Sequence, residues 1–335
     1  MMEFMKVKVK VGTILCVGMI LAIAAVSIAA TASGSKPNRK QGTGQAGTWY
    51  FALSGDSRDC GDLIVPKIAE SVRHGKDPVS FYWHLGDFRR MFSMDCDVIK
   101  RQFPSYDCKS RPAGVLAPDA FTSYVGMAWD DFIERQLKPF GDLPVFLGIG
   151  NHELLSKKTR DDYRQKFQPW LTTKSIEDQR RADSSAGITS SEGDTYYHFF
   201  KDGVDFIALD NADRESFSPA QVLWMLQVLD RDNNDFAVKT IIVGMHEALP
   251  FSKSSNHAMD ISCQGICTGQ QVYDLLYRSY SMHGKHVYVF ASHSHYFQED
   301  IYNTPEHKGR VLPGWIVGTA GAEQYQQTIM YGYLL

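Results

Sequence analysis

No charge of one sign dominates this chain: 35 Lys and Arg stand against 38 Asp and Glu, a formal net charge of -3. A protein that grips nucleic acid by its phosphates carries a basic excess, so nucleic acid is not an expected partner. There is no CxxC pair, which counts against a zinc knot built on thiolates. Nothing recurs at a fixed period, which argues against a solenoid or propeller. Basic stripes interleaved with aromatics and evident nucleotide motifs are missing too. What remains is a mixture of 44% hydrophobic and 22% charged residues over 335 positions, enough to bury a core.

The N-terminus is different material. Lys6, Lys8 and Lys10 precede an uncharged run over residues 11–30, and ATA at 30–32 has the small-x-small form of a signal peptidase site. Residues 1–32 are expected to be an export signal, or an uncleaved anchor, since the run is nearly long enough to span a bilayer. Such an anchor would be the only tie to a membrane. Residues 33–47, SGSKPNRKQGTGQAG, read as a flexible linker, and residues 48–335 as the folded domain, exported to a periplasmic or extracellular space. Cys16 lies in the apolar run. In an oxidising compartment, Cys96 with Cys108 and Cys263 with Cys267 are the first local disulfides to expect, leaving Cys60 free.

Four segments share one form: WYFALSGD at 49–56, VSFYWHLGD at 79–87, PVFLGIGN at 144–151 and KTIIVGMH at 239–246. Each is a β-prone run that closes on a polar group at or near a glycine. Helical patterns fill 65–75, 120–141 and 219–230, a hairpin turns at Lys201-Asp202-Gly203, and 286–302 and 314–321 read as further strands. The ending YGYLL, 331–335, reads as the start or middle of a strand. This alternation predicts an α/β fold with two packed sheets flanked by helices. The insert at 161–193 is polar and helix-like only in parts, and 252–270 reads as a polar loop; loops at strand ends form pocket rims.

The polar groups at these strand ends are Asp56, Asp87, Asn151, His152, His246, His293 and His295. Carboxylates, an amide and imidazoles suit zinc, manganese or iron. A Gly-Asp pair after a strand is by itself usually a turn. Its recurrence, and two histidines spaced to share one face of a strand, favour a common ligand role. His84, His198 and His286 read as structural or surface residues.

The ordered set GD, GD, GNHE, a strand-end His and SHSH resembles the calcineurin-like metallophosphoesterase superfamily, in the style of its secreted, purple-acid-phosphatase-like members. The resemblance, over about residues 48–321, implies a four-layer α/β/β/α sandwich of two mixed β-sheets flanked by helices. It implies two divalent or mixed-valence metal ions (iron, zinc or manganese) with Asp87 bridging, Asp56 and His295 on the first, and Asn151, His246 and His293 on the second. His152 would face the phosphate of a small phosphorylated substrate, and Glu153 would orient His152. The implied activity is hydrolysis of phosphate monoesters or diesters by water that the ions make nucleophilic.

The first motif departs from that pattern. Where many members have a histidine two residues after the first Asp, this chain has Arg58; where purple acid phosphatases supply a Tyr, it has Arg90. The first metal then binds weakly with water in the gap, or takes a substitute such as Cys60, His84 or a Tyr, or is absent. Arg58, Arg89 and Arg90 are candidates to grip phosphate oxygens, Arg58 foremost, with an ordinary surface salt bridge as the plain alternative for each. The rival functional reading is an exported, non-catalytic phosphate- or metal-binding protein on a degenerate form of the fold.

Overall fold

The computed structural model describes residues 5–7, 48–108, 118–189, 194–213, 216–254, 257–324 and 331–335. Most of the expected export segment, with Cys16, and all of the expected linker lie outside the described residues, as do 190–193 and 255–256 of the two expected rim segments. Among the described residues no helix is long and apolar enough to cross a membrane.

The β-prone runs form strands β1 (Met5–Val7), β2 (Tyr50–Ser54), β3 (Val79–His84), β4 (Val145–Leu147), β5 (Tyr197–Lys201), β6 (Val204–Ala208), β7 (Thr240–Met245), β8 (His286–Ala291), β9 (Phe297–Glu299), β10 (Gly314–Val317) and β11 (Gly332–Leu334). One sheet runs β1-β11-β2-β3-β4 and the other β5-β6-β7-β8-β10-β9. Both are mixed. The pairs β2/β3, β3/β4, β6/β7, β7/β8 and β8/β10 are parallel, whereas β2/β11, β5/β6 and β9/β10 are antiparallel. The parallel strands are nearly all-apolar runs because both their faces are covered.

Aromatic rings meet between the sheets. Phe51 and Phe81 of the first sheet meet Phe206 of the second edge-on at 5.1 and 5.0 Å, and Phe146 stacks on Phe199 at 4.0 Å. Such pairs add about 0.5–1.5 kcal/mol each beyond the apolar area they bury. The outer faces carry helices α1 (Gly61–His74), α2 (Cys96–Gln102), α3 (Pro118–Phe132), α4 (Arg160–Leu171), α5 (Lys174–Ser185), α6 (Pro219–Asn234) and α7 (Cys263–His283). In α1 the buried residues Ile64, Val65, Ile68, Ala69 and Val72 form one stripe, and α1 touches β3 and β11. On the other side α6 packs on α7, α7 on β8 and α5 on β5. The architecture is the expected α/β one of two mixed sheets, each flanked by helices.

Several local expectations need correction. The helix expected at 120–141 leaves α geometry after Phe132, passing through a π turn at Ile133–Leu137 and a 3-10 turn at Lys138–Phe140. The polar insert forms α4, with a Thr159/Asp162 capping box, and α5. The expected loop at 252–270 becomes helix from Cys263, where the Ser262 hydroxyl accepts the Gly265 N–H. That helix overturns one disulfide: Cys263 and Cys267 are both free, since consecutive turns project their Cβ atoms side by side rather than toward each other. Cys96 and Cys108 are bonded, with Cα atoms 5.7 Å apart. Cys60 is free, and burial pushes its thiol up to about 11.

His198 is buried on β5 between Asp183 at 2.7 Å and Asp205 at 2.9 Å. Burial disfavours its charge, but the two carboxylates overcome this and raise it to about 9. A raised histidine contributes stability that is complete below its unfolded value of about 6.5 and is lost as pH climbs through the folded value. Stability is therefore expected to fall by roughly 3 kcal/mol between about pH 6.5 and pH 9. The slope should vanish in His198→Gln, as read by urea unfolding across that range.

Candidate metal centre

The candidate residues converge because parallel strands of both sheets end together. Asp56 follows β2, Asp87 follows β3, Asn151 and His152 follow β4, His246 follows β7, and His293 and His295 follow β8. Three of them turn out of their strands with left-handed backbones, Asp56 and Asp87 at φ 60° and His293 at φ 62°. This conformation costs a non-glycine residue of order 1 kcal/mol or more and persists only where surroundings impose it. Here Asp56 N–H donates to Gly86 at 3.0 Å, Ser57 N–H to Asp87 at 3.0 Å, and His293 N–H to Asp56 Oδ2 at 2.8 Å. Gly150 allows the closest approach, since a Cβ there would collide with Asp87 Oδ1 and its backbone nitrogen.

Two sets of side chains each bring three ligand atoms within 4.8 Å of one another: Asp87, His246 and His293, and Asp56, Asp87 and His295. All are buried, and Asp87 belongs to both. Burial alone would push its carboxyl up, yet His152, His246, Arg58 and His293 outweigh that and hold it well below the usual carboxylate range. Asp56 is also depressed, burial being outweighed chiefly by His295. Asp56 Oδ1 and Asp87 Oδ2 are buried and accept no hydrogen bond. Such oxygens call for a positive charge nearby, and Arg58 Nη1 stands 3.9 Å from Asp87 Oδ2.

The set around His246 fits a divalent ion well. His246 Nδ1 lies 3.0 Å from both the Leu85 carbonyl, which can only accept, and Ser292 Oγ, so with Nδ1 donating to that carbonyl the Nε2 lone pair is left for an ion. That lone pair faces two more acceptors, Asn151 Oδ1 at 3.0 Å and Asp87 Oδ1 at 3.3 Å, with His293 Nδ1 also at 3.0 Å. Acceptors crowd like this around a cation. Around Asp56 and His295 the fit is poorer, because the Arg58 guanidinium occupies the same space, its Nη2 2.6 Å from His295 Nε2.

The chain is similar in structure to purple acid phosphatase PPD1 from yellow lupin (Lupinus luteus) seeds. The TM-score is 0.47 and the identity 13%, over 82% of this chain and 44% of that one, so the match spans under half of the lupin protein. No protein-family model matches the sequence, and no curated protein does.

Other candidate residues take unexpected places. Glu153 does not orient His152; its carboxylate accepts backbone N–H groups of Asp87 at 2.8 Å, Phe88 at 2.9 Å and Gly150 at 2.8 Å. Three converging donors claim the carboxylate, and the imidazole is left to other partners. His152 Nδ1 is held by the Arg90 carbonyl and Nε2 meets Arg58. Burial pushes this imidazole down to about 4, Arg58 adding to burial and Asp87 opposing it. Arg89 is neither a surface salt bridge nor a phosphate clamp: it is fully buried, 2.7 Å from Asp62 and from Asp131 and 3.3 Å from Asp97. Arg90 lies over the Phe92 ring, 3.5 Å from Asp59. Neither Cys60 nor His84 joins a ligand set; His84 packs against Phe88 and Phe132, and burial pushes it down to about 3.

Two residues escaped sequence reasoning. Glu247 is fully buried, with Oε1 3.9 Å from His293 Nε2, and its only sequence signal is adjacency to His246. His257 stands 5.1 Å from His293, ring to ring, delivered by a loop without periodicity. An open cleft of about 650 Å³ leads to Asn151 and His152 past Phe92, Leu154, Leu155 and Ala212.

Proposed function

We propose that the protein is a calcineurin-like metallophosphoesterase that hydrolyses phosphate esters of small molecules with metal held around Asp87. One observation carries the reading: His246 Nε2 lies 3.0 Å from Asn151 Oδ1 and 3.3 Å from Asp87 Oδ1, and Asn151 lines an open cleft. Bound there, zinc, manganese or iron supplies Lewis acidity and lowers the pKa of coordinated water. The chain's own residues do the rest. Arg58 offers a charged N–H fork to phosphoryl oxygens as charge builds on them. His152 keeps its proton on Nδ1, against the Arg90 carbonyl, and with Nε2 on Arg58 it orients the guanidinium. Glu153, by gathering three N–H groups, fixes the backbones that carry Asp87 and Asn151.

The catalytic unit in this reading is residues 48–335. Export is supported by the lysines before the uncharged run and by the Cys96–Cys108 bond. A second reading, phosphate binding without turnover, draws on Arg58 standing inside one ligand set. Mono- and bis-p-nitrophenyl phosphate, tried with added manganese, zinc or iron, separate the two. Turnover that chelation abolishes and metal restores is expected. Retained metal and bound phosphate without turnover would establish the second reading instead.

A further inference from the structure

The pocket formed by Asp56, Asp87 and His295 has a cation already. His295 Nδ1 lies 2.7 Å from the Glu323 carbonyl, an atom that only accepts, so Nδ1 is protonated and the one lone pair sits on Nε2. That lone pair meets Arg58 Nη2 at 2.6 Å. His152 is arranged the same way, Nδ1 on the Arg90 carbonyl and Nε2 on Arg58 Nη1. The same Nη1 lies 3.9 Å from Asp87 Oδ2. Arg58 is only 7% exposed, and a guanidinium does not shed its charge. A metal on His295 would need the lone pair that Arg58 uses, at about 2.0–2.1 Å. It would also stand against a buried positive charge, where screening is weak.

In the neighbouring set His246 Nε2 faces acceptors instead of a guanidinium. We propose that the centre takes one divalent ion, on Asp87, Asn151, His246 and His293, and that the Arg58 guanidinium is the resident cation of the Asp56–Asp87–His295 pocket. The inference rests on the phosphoesterase reading for the presence of a metal, and adds that one of the two positive charges facing the phosphoryl group belongs to the protein. Asp56 then serves as a counter-charge of the pocket rather than as a ligand.

The test is metal stoichiometry, which needs no substrate. Full-length protein is stripped with chelator, reloaded with excess Mn²⁺, desalted and analysed by mass spectrometry for metal per chain, with electron paramagnetic resonance on the same samples. One ion per chain is expected, with the spectrum of an isolated ion. Arg58→His should raise the content to two and give an exchange-coupled pair. Asp56→Asn should keep one ion, and His246→Ala should lose it. Two ions in the unaltered protein, loss of the ion in Asp56→Asn, or a folded Arg58→His still holding one would overturn the proposal. The Asp56→Asn arm decides if Arg58→His does not fold. No ion in the unaltered protein would instead sink the metal-dependent reading itself, so the two failures are distinguishable.

Discussion

Asp87→Asn is expected to lose bound metal and to lower kcat/KM at least about a thousand-fold, well past the roughly 10–100-fold cost of altering a residue that only supports a ligand. Asp87 is the one carboxylate common to both ligand sets, it is fully buried, and its Oδ2 accepts no hydrogen bond. An amide halves the acceptors and brings an N–H donor to a place where acceptors already face one another. The control is Glu153→Gln, which leaves every ligand in place and disturbs only the backbone it gathers. A loss within the supporting range is expected there, with metal retained. Metal content and initial rates on p-nitrophenyl phosphates check both, and an Asp87→Asn enzyme as active as its parent would remove Asp87 from the centre.

Arg89→Met should destabilise the fold by about 3–5 kcal/mol, the usual cost of leaving buried charges without their partner. Arg89 joins Asp62 on α1, Asp97 on α2 and Asp131 on α3, so one guanidinium ties three helices beside the site. Arg101 also reaches Asp62 and Asp131, at 2.8 Å for the latter, but not Asp97. Burial would push Asp131 up, but Arg89 and Arg101 hold it below the usual carboxylate range. Without Arg89, the carboxylates escape the cost of burial by taking up protons, which is easier in acid. The loss measured by urea unfolding should therefore shrink from pH 7 toward pH 5. A pH-independent loss would mean that methionine fails there by packing rather than by charge.

Much of the fold is legible in the chain. Uniformly apolar, β-branched and aromatic runs make strands covered on both faces, and glycines next to polar residues mark their ends. The hairpin turn at Asp202-Gly203 has the chemistry of a tight turn, with φ 49° and 86°. Loops were less legible. Ser262 as a helix cap and Cys263 as a helical residue look no different from loop residues until the helix packs. Asp161 and Asp162 likewise read as polar insert, although they form the acidic first turn of α4.

The sequence by itself determined which chemical groups stand at the strand ends, because strand periodicity and glycine placement are local properties of the chain. Only tertiary structure decided what each group faces. Arg58 and His152 are 94 residues apart, and Arg58 and His295 are 237 apart. Arg58 enters a ligand pocket, Arg89 is enclosed by acids, and Glu153 turns from an imidazole to three backbone amides. A buried charge or hydrogen-bonding group must take a partner wherever folding brings one, and spacing along the chain does not carry that information.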